Sequence, residues 1–167
     1  MKKTVIIIII SVVVVGLIIA GSILLISKLS SAIKDKDPIT VTEFKTKMEN
    51  KEYTVVDVQE QFAEFDYVKN AYVALEKEGN YQIEFYEISD EANAVGFYGN
   101  NKALFESSKG TIVAETNITV KNYAKYTVNS GGKYNVVSRI ANTVVYVSVD
   151  SKYKDAVNDV LNSIGYL

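Results

Sequence analysis

From Val5 to Ile26 the chain runs twenty-two residues without a charge, preceded by Lys2 and Lys3 and closed by Ser27-Lys28. As a helix rising ~1.5 Å per residue this run spans about 33 Å, close to the ~30 Å hydrocarbon core of a bilayer. A cleaved secretory signal carries a shorter apolar core of about 7 to 15 residues. Residues 1–27 are therefore predicted to form a transmembrane signal-anchor. The small residues at Ala20-Gly21-Ser22 and Ser30-Ser31-Ala32 leave cleavage as the alternative. Gly16 and Ala20, four residues apart on one face of such a helix, have the small-xxx-small spacing through which two copies can pack as a homodimer.

After the anchor the pattern changes. Residues 28–38 alternate charge with small polar side chains and end at Pro38, which stops a helix, so they read as a polar tether. Residues 39–167 are enough for one domain with a real core. Thr40 or Thr42 caps a first helix carrying Val41, Phe44 and Met48 at helical spacing, with Glu43 completing a capping box from Thr40. Tyr53 to Val58 reads as a strand, and Gln59 to Val68 is ambiguous. Ala71 to Glu76 and Tyr81 to Ile88 alternate around Lys77-Glu78-Gly79-Asn80, a hairpin that is predicted to put Ala71, Val73 and Leu75 on one face with Tyr81, Ile83 and Phe85. A second helix starts at Ser89 or Asp90 with Ala94, Phe97, Tyr98, Asn101, Leu104 and Phe105 as its stripe. Gly96 and Gly99 interrupt it, which predicts close packing there or a bend near Gly99-Asn100. Strands follow at Thr111 to Glu115, Ile118 to Val128, Lys133 to Ile140 and Thr143 to Val149. A last helix places Tyr153, Ala156, Val157, Val160, Leu161 and Ile164 at 3.6 spacing before Gly165.

This order predicts an α+β class: an N-terminal transmembrane helix, then one domain with an antiparallel sheet ending in a β-meander and packed helices that include a C-terminal amphipathic one. The order of elements resembles small α/β sandwiches of the PsbP kind. That is a likeness of fold which no motif carries, and fold does not fix function.

Charge adds an asymmetry. Glu43 to Glu91 holds thirteen acids and five lysines, whereas Ala92 to Leu167 holds five acids and eight bases. If the halves separate in space, the domain is electrically polarised. Net acidity with a single arginine argues against nucleic acid as a partner. Seventeen lysines with many Ile, Asn and Tyr fit an AT-rich bacterial genome. The Lys balance across the span is nearly even, and the two-lysine start directly before it favours the N-terminus inside and the domain outside the cell.

Candidate chemistry is sparse. Without histidine or cysteine there is no Ser-His-Asp or Cys-His catalysis, no zinc thiolate, no disulfide and no lipidated cysteine. Ser130 to Lys133 matches S-x-x-K, but its two glycines make a hairpin turn rather than a helix start, and Ser31 to Lys34 matches equally. Glu76, Glu78, Glu84 and Glu87 lie near one hairpin as a conceivable carboxylate pair, with Glu84 expected to point outward. Asp57, Glu60 and Glu64 lack the spacing of a calcium loop. No cofactor is expected.

Tyrosine is enriched, twelve residues with no tryptophan. Tyr123, Tyr126, Lys133, Tyr134, Arg139 and Tyr146 cluster on the late strands, and Tyr with basic neighbours suits a binding surface. The expected function is a non-enzymatic, bilayer-anchored extracytoplasmic domain that binds or regulates another envelope protein. The alternative is a sensory or binding module for a small molecule or cell-wall glycan, which needs a concave pocket lined by those tyrosines. A carboxylate or Ser-Lys hydrolase is the remote third.

Overall fold

The computed structural model describes residues 34–167. Residues 1–33 lie outside the described residues, and with them the predicted span, the Gly16/Ala20 pair, Ser31 and the larger part of the tether. Among the described residues no helix is long and apolar enough to cross a membrane.

The domain is α+β: one seven-stranded antiparallel sheet and three α-helices, in the chain order α1 (Val41–Glu49), β1 (Thr54–Asp57), β2 (Val68–Leu75), β3 (Gln82–Ile88), α2 (Glu91–Ser108), β4 (Ile112–Val120), β5 (Tyr123–Ser130), β6 (Lys133–Ile140), β7 (Thr143–Asp150) and α3 (Lys154–Ser163). Short 3-10 turns occupy Gln59–Phe62 and Ser151–Tyr153. The strand order is β1-β2-β3-β7-β6-β5-β4, so the late strands form the expected meander and β7 returns beside β3. The acidic first half of the chain thus supplies the β1 end of the sheet and the basic second half the β4 end.

Strand alternation sends side chains to two separate cores. On one face Phe85, Val136, Val145 and Val147 pack beneath Phe44 and Met48 of α1 and Val157, Val160 and Leu161 of α3. On the other, Val73, Tyr86, Tyr126, Val137 and Val144 pack beneath Ala94, Phe97, Tyr98 and Phe105 of α2. Each fully buried side chain of this size stabilises by ~1.5–3 kcal/mol, so covering both faces is what makes the sheet stable. α1 has its capping box, with Glu43 N–H donating to Thr40 Oγ1 at 3.1 Å and Thr40 N–H to Glu43 Oε2 at 2.8 Å. Asp90 caps α2 through Asn93 N–H at 2.8 Å.

Four expectations are corrected. The β2–β3 register pairs Ala71 with Tyr86, Val73 with Glu84 and Leu75 with Gln82, so Ile83 and Phe85 share a face with Tyr72 and Ala74 instead. The reason is the loop: Glu76 and Tyr81 flank four turn residues, which pairs odd positions with even ones and moves β3 by one residue, hence to the other face. The run 118–128 is not one strand but the end of β4, a two-residue turn at Lys121-Asn122, and β5. The turn before β6, expected over Asn129 to Gly132, is Gly131-Gly132 alone, with φ of 56° and 80°, the positive pair a tight hairpin needs. In α2 a Cβ at Gly96 or Gly99 would meet nothing within 4 Å, so neither glycine serves close packing.

Both ends of the described chain dock at one place. Lys36 N–H donates to Asn122 Oδ1 at 3.0 Å, Asn122 Nδ2 donates back to Lys36 O at 2.7 Å, and the Lys36 ammonium lies 3.8 Å from the Tyr123 ring centroid. Burial lowers the pKa of that ammonium, with Lys125 adding repulsion. The Tyr166 side chain is buried beside Thr143, and its carbonyl accepts from Ser138 Oγ at 2.7 Å.

Candidate interaction surface

The six late-strand residues do not meet as an exposed patch. Tyr123 and Tyr134 point to the α1/α3 face, where the Tyr134 hydroxyl donates to Asn158 at 2.6 Å. Tyr126 and Tyr146 point to the α2 face. There the Tyr126 hydroxyl donates to Glu115 Oε1 at 2.7 Å, and Tyr146 stacks on Phe105 with centroids 4.9 Å apart. Arg139 is only 3% exposed; its Nη1 donates to Glu91 Oε1 and to Ala141 O, both at 2.9 Å. Lys133 alone is on the surface, paired with Asp150 at 2.6 Å. Sheet faces roofed by helices turn tyrosines into core, where each hydroxyl needs a partner. Burial raises the pKa of Tyr123, Tyr126 and Tyr134, and for Tyr126 the Glu115 carboxylate adds to the rise. Conversely, the Tyr126 hydroxyl and then Lys109 hold Glu115 below the usual carboxylate range.

Glu84 is the largest surprise among the acids. It is 1% exposed and accepts from the Tyr86 hydroxyl at 2.5 Å and from Gln82 Nε2 at 2.8 Å. Alternation predicts an outward face for it, but on this sheet the second face is also core. Burial, then the Glu84 carboxylate, raises the Tyr86 hydroxyl well above its ordinary value. The other hairpin acids are spread out: Glu76 accepts from Asn80 in the turn, and Glu87 accepts from Asn70 at 2.6 Å. Near Arg139, burial pushes Tyr98 up to about 12. The Tyr98 hydroxyl, Asn101 Oδ1 and Arg139 Nε have no hydrogen-bond partner among the described residues.

Among the described residues no group of three acids is gathered to hold a metal ion, and Asp57 Oδ1 is instead used by Gln59 N–H at 2.9 Å. Ser130 and Lys133 face each other across the β5–β6 turn. They line an open cleft of about 470 Å³ between the C-terminal end of α2 and the ends of β5, β6 and β7, together with Phe105, Ser107, Asn135 and Tyr146. The Lys133 ammonium there is committed to Asp150, so the pair has no free amine beside the serine.

β4 joins two segments that the sequence marks as strands without showing that they are exposed. Among the described residues it is the terminal strand, bonded only to β5, and Ile112 to Thr119 are exposed, on both faces of the strand. Val113 is 75%, Ile112 47% and Ile118 37% exposed. A signal existed in the run Ile112 to Val120, which is rich in β-branched residues and carries one charge. Its neighbours in sequence conceal that it has no roof.

A scan against models of known protein families matches none of them, and a search of curated proteins finds no match.

Proposed function

We propose that this chain is a single-pass, membrane-anchored, non-enzymatic interaction domain of a bacterial envelope. The domain sits outside the cell and engages another protein through the open edge of β4. The uncharged run Val5 to Ile26 supports the anchor. The observation that carries the interaction is the nine-residue β4 edge, exposed on both faces and apolar at Ile112, Val113 and Ile118. An open edge offers unpaired N–H and C=O groups that an added strand satisfies.

The chain has no cysteine, so a single one reports topology cleanly. Lys51 is exposed in the turn after α1, far in sequence from β4. Lys51→Cys in intact cells is expected to react with a membrane-impermeant maleimide. Protection until lysis, with full labelling afterwards, would put the domain inside and overturn the extracytoplasmic reading.

A second reading, a binding module for a small molecule or glycan, draws on the cleft beside Tyr146, whose Ser107, Ser130 and Asn135 offer hydroxyl and amide groups to a polar ligand. Ligand-induced shifts at Ser130 and Asn135 in amide NMR, with β4 unaffected, would favour it over the edge.

A further inference from the structure

The α2 face of the sheet changes character along three neighbouring strands at once. Tyr126, Val137 and Tyr146 form one cross-strand row, Val128, Asn135 and Ser148 the next, and Ser130, Lys133 and Asp150 the last. The first row is buried under α2. That helix stops at Ser108, and beyond it Ser130, Lys133, Asn135 and Ser148 line the open cleft of about 470 Å³, within the ~300–1,000 Å³ of small-ligand sites. Ser130 is 4% and Asn135 7% exposed, yet among the described residues the Ser130 hydroxyl makes no hydrogen bond. Asn135 Oδ1 accepts from Ser148 Oγ at 2.7 Å, which leaves the Asn135 Nδ2 donors without a partner among the described residues. Neither Ser130 Oγ nor Asn135 Nδ2 is fully enclosed, so two nearly buried side chains open a donor onto the cleft. The last turn of α2 adds acceptors. Ser107 Oγ donates to Leu104 O at 2.9 Å and Ser108 Oγ to Phe105 O at 3.3 Å, so their protons are committed and their lone pairs are left to accept.

We infer that this cleft binds an uncharged saccharide, whose hydroxyls donate and accept at once. The assignment rests on the second reading above, that the cleft is a ligand site, and is independent of the β4 edge. Charge decides against the alternatives. Among the described residues Lys133 is the one charged side chain that lines the cleft, and Asp150 neutralises it at 2.6 Å. An anion would face the negative end of the α2 dipole, whose last turn carries no basic residue. A cation would face the Lys133 ammonium. An apolar ligand would take water away from Ser130 and Asn135 and leave their donors unpaired. A saccharide exchanges those bonds to water for bonds of its own and sets its C–H groups against the half-buried Leu104.

The test is a titration of the full chain followed by amide NMR, in lipid nanodiscs because alkyl maltoside detergents are themselves saccharides. Two uncharged trisaccharides, maltotriose and chitotriose, are set against the cationic chitosan trimer and the anionic trigalacturonate. At least one uncharged probe is expected to shift the Ser130, Gly131 and Asn135 amides saturably and to bind about fivefold or more tighter than either charged one, as an opposed charge at contact distance would dictate. Ser130→Ala removes a hydroxyl that bonds nothing among the described residues, so it should leave the melting temperature unchanged while weakening that binding about two- to tenfold. Uncharged-probe binding that survives Ser130→Ala at full strength would overturn the assignment. The two failures are distinguishable: shifts at the cleft from a charged probe alone remove the uncharged saccharide and keep the cleft as a ligand site, and no shift there from any of the four probes removes both.

Discussion

β7 and β4 are written in nearly the same alphabet, TVVYVSVD and IVAETNITV, yet one is the centre of the molecule and the other its margin. β7 lies between β3 and β6 with a helical layer on each side, and six of its eight residues are buried. Among the described residues β4 has one neighbour and no roof. β-branched alternation therefore reports that a segment will be a strand, and says little about how deep it will lie. Depth is set by where the helices end. α2 packs mainly on β6 and β7, and Lys109 already turns away to lead into β4.

The sharpest way to break this comparison is in the core. Tyr126→Ser or Tyr146→Ser removes a buried ring and, for Tyr126, the bond to Glu115. Each should cost about 3–5 kcal/mol, as large aromatic truncations do, read as a drop in urea midpoint. A loss below about 1 kcal/mol would mean that these rings are peripheral and the late strands an accessible surface after all.

Much of this fold was legible because local rules and tertiary packing agree. The Thr40–Glu43 capping box, the Asp90 cap, the Lys133 to Ile140 strand and the amphipathic last helix all sit where periodicity places them. The misreadings share one cause: a two-sided core is invisible to a one-face argument. Alternation marks Glu84 for a solvent face and basic neighbours mark Tyr126 for a binding surface, and nothing in the sequence says that both faces of the sheet are roofed. The hairpin parity at Glu76–Tyr81 and the Lys121-Asn122 turn depend on loop closure, for which Lys121, at φ 50°, is a poor advertisement. Of the proposed site, the apolar residues of β4 were readable, but their exposure was not.

Smaller effects follow the same divide. Glu91 is half exposed, while its partner Arg139 is buried. Glu91→Ala leaves that guanidinium with its bond to Ala141 O and should cost roughly 1–2 kcal/mol, less than for a fully buried pair. No loss would mean that Arg139 is satisfied without its carboxylate. On the open side of α2, Gly99→Ala meets only free space and should raise stability by about 0.5–1 kcal/mol in the same titration; a decrease would show that the position is crowded.

Glu115 links the core to the edge and adds a pH dependence. Its pKa is lowered in the fold, so its contribution is fully present above the unfolded value of about 4.3 and is lost as pH falls through the folded value. Tyr126→Phe removes the largest cause of that lowering. The gap in urea midpoint between wild type and Tyr126→Phe should therefore be widest at neutral pH and should narrow below about pH 4. A gap unchanged by pH would mean that the hydroxyl does not act through the carboxylate.

The smallest expected effect is the most informative about β4. Ile118 is exposed on a strand with one neighbour, opposite Lys125. Ile118→Lys removes little burial but sets a second ammonium opposite Lys125, a cross-strand repulsion of ~0.2–1 kcal/mol, so the stability of the isolated molecule should fall by no more than about 1 kcal/mol. The same change at Val145, fully buried in β7, would bury an unpaired ammonium and prevent folding. Measured on dilute full chain in detergent, an Ile118→Lys loss above about 1 kcal/mol would mean that the side chain is already covered within one molecule. A change within that range would instead leave folding to the core alone, with the β4 edge open for contact.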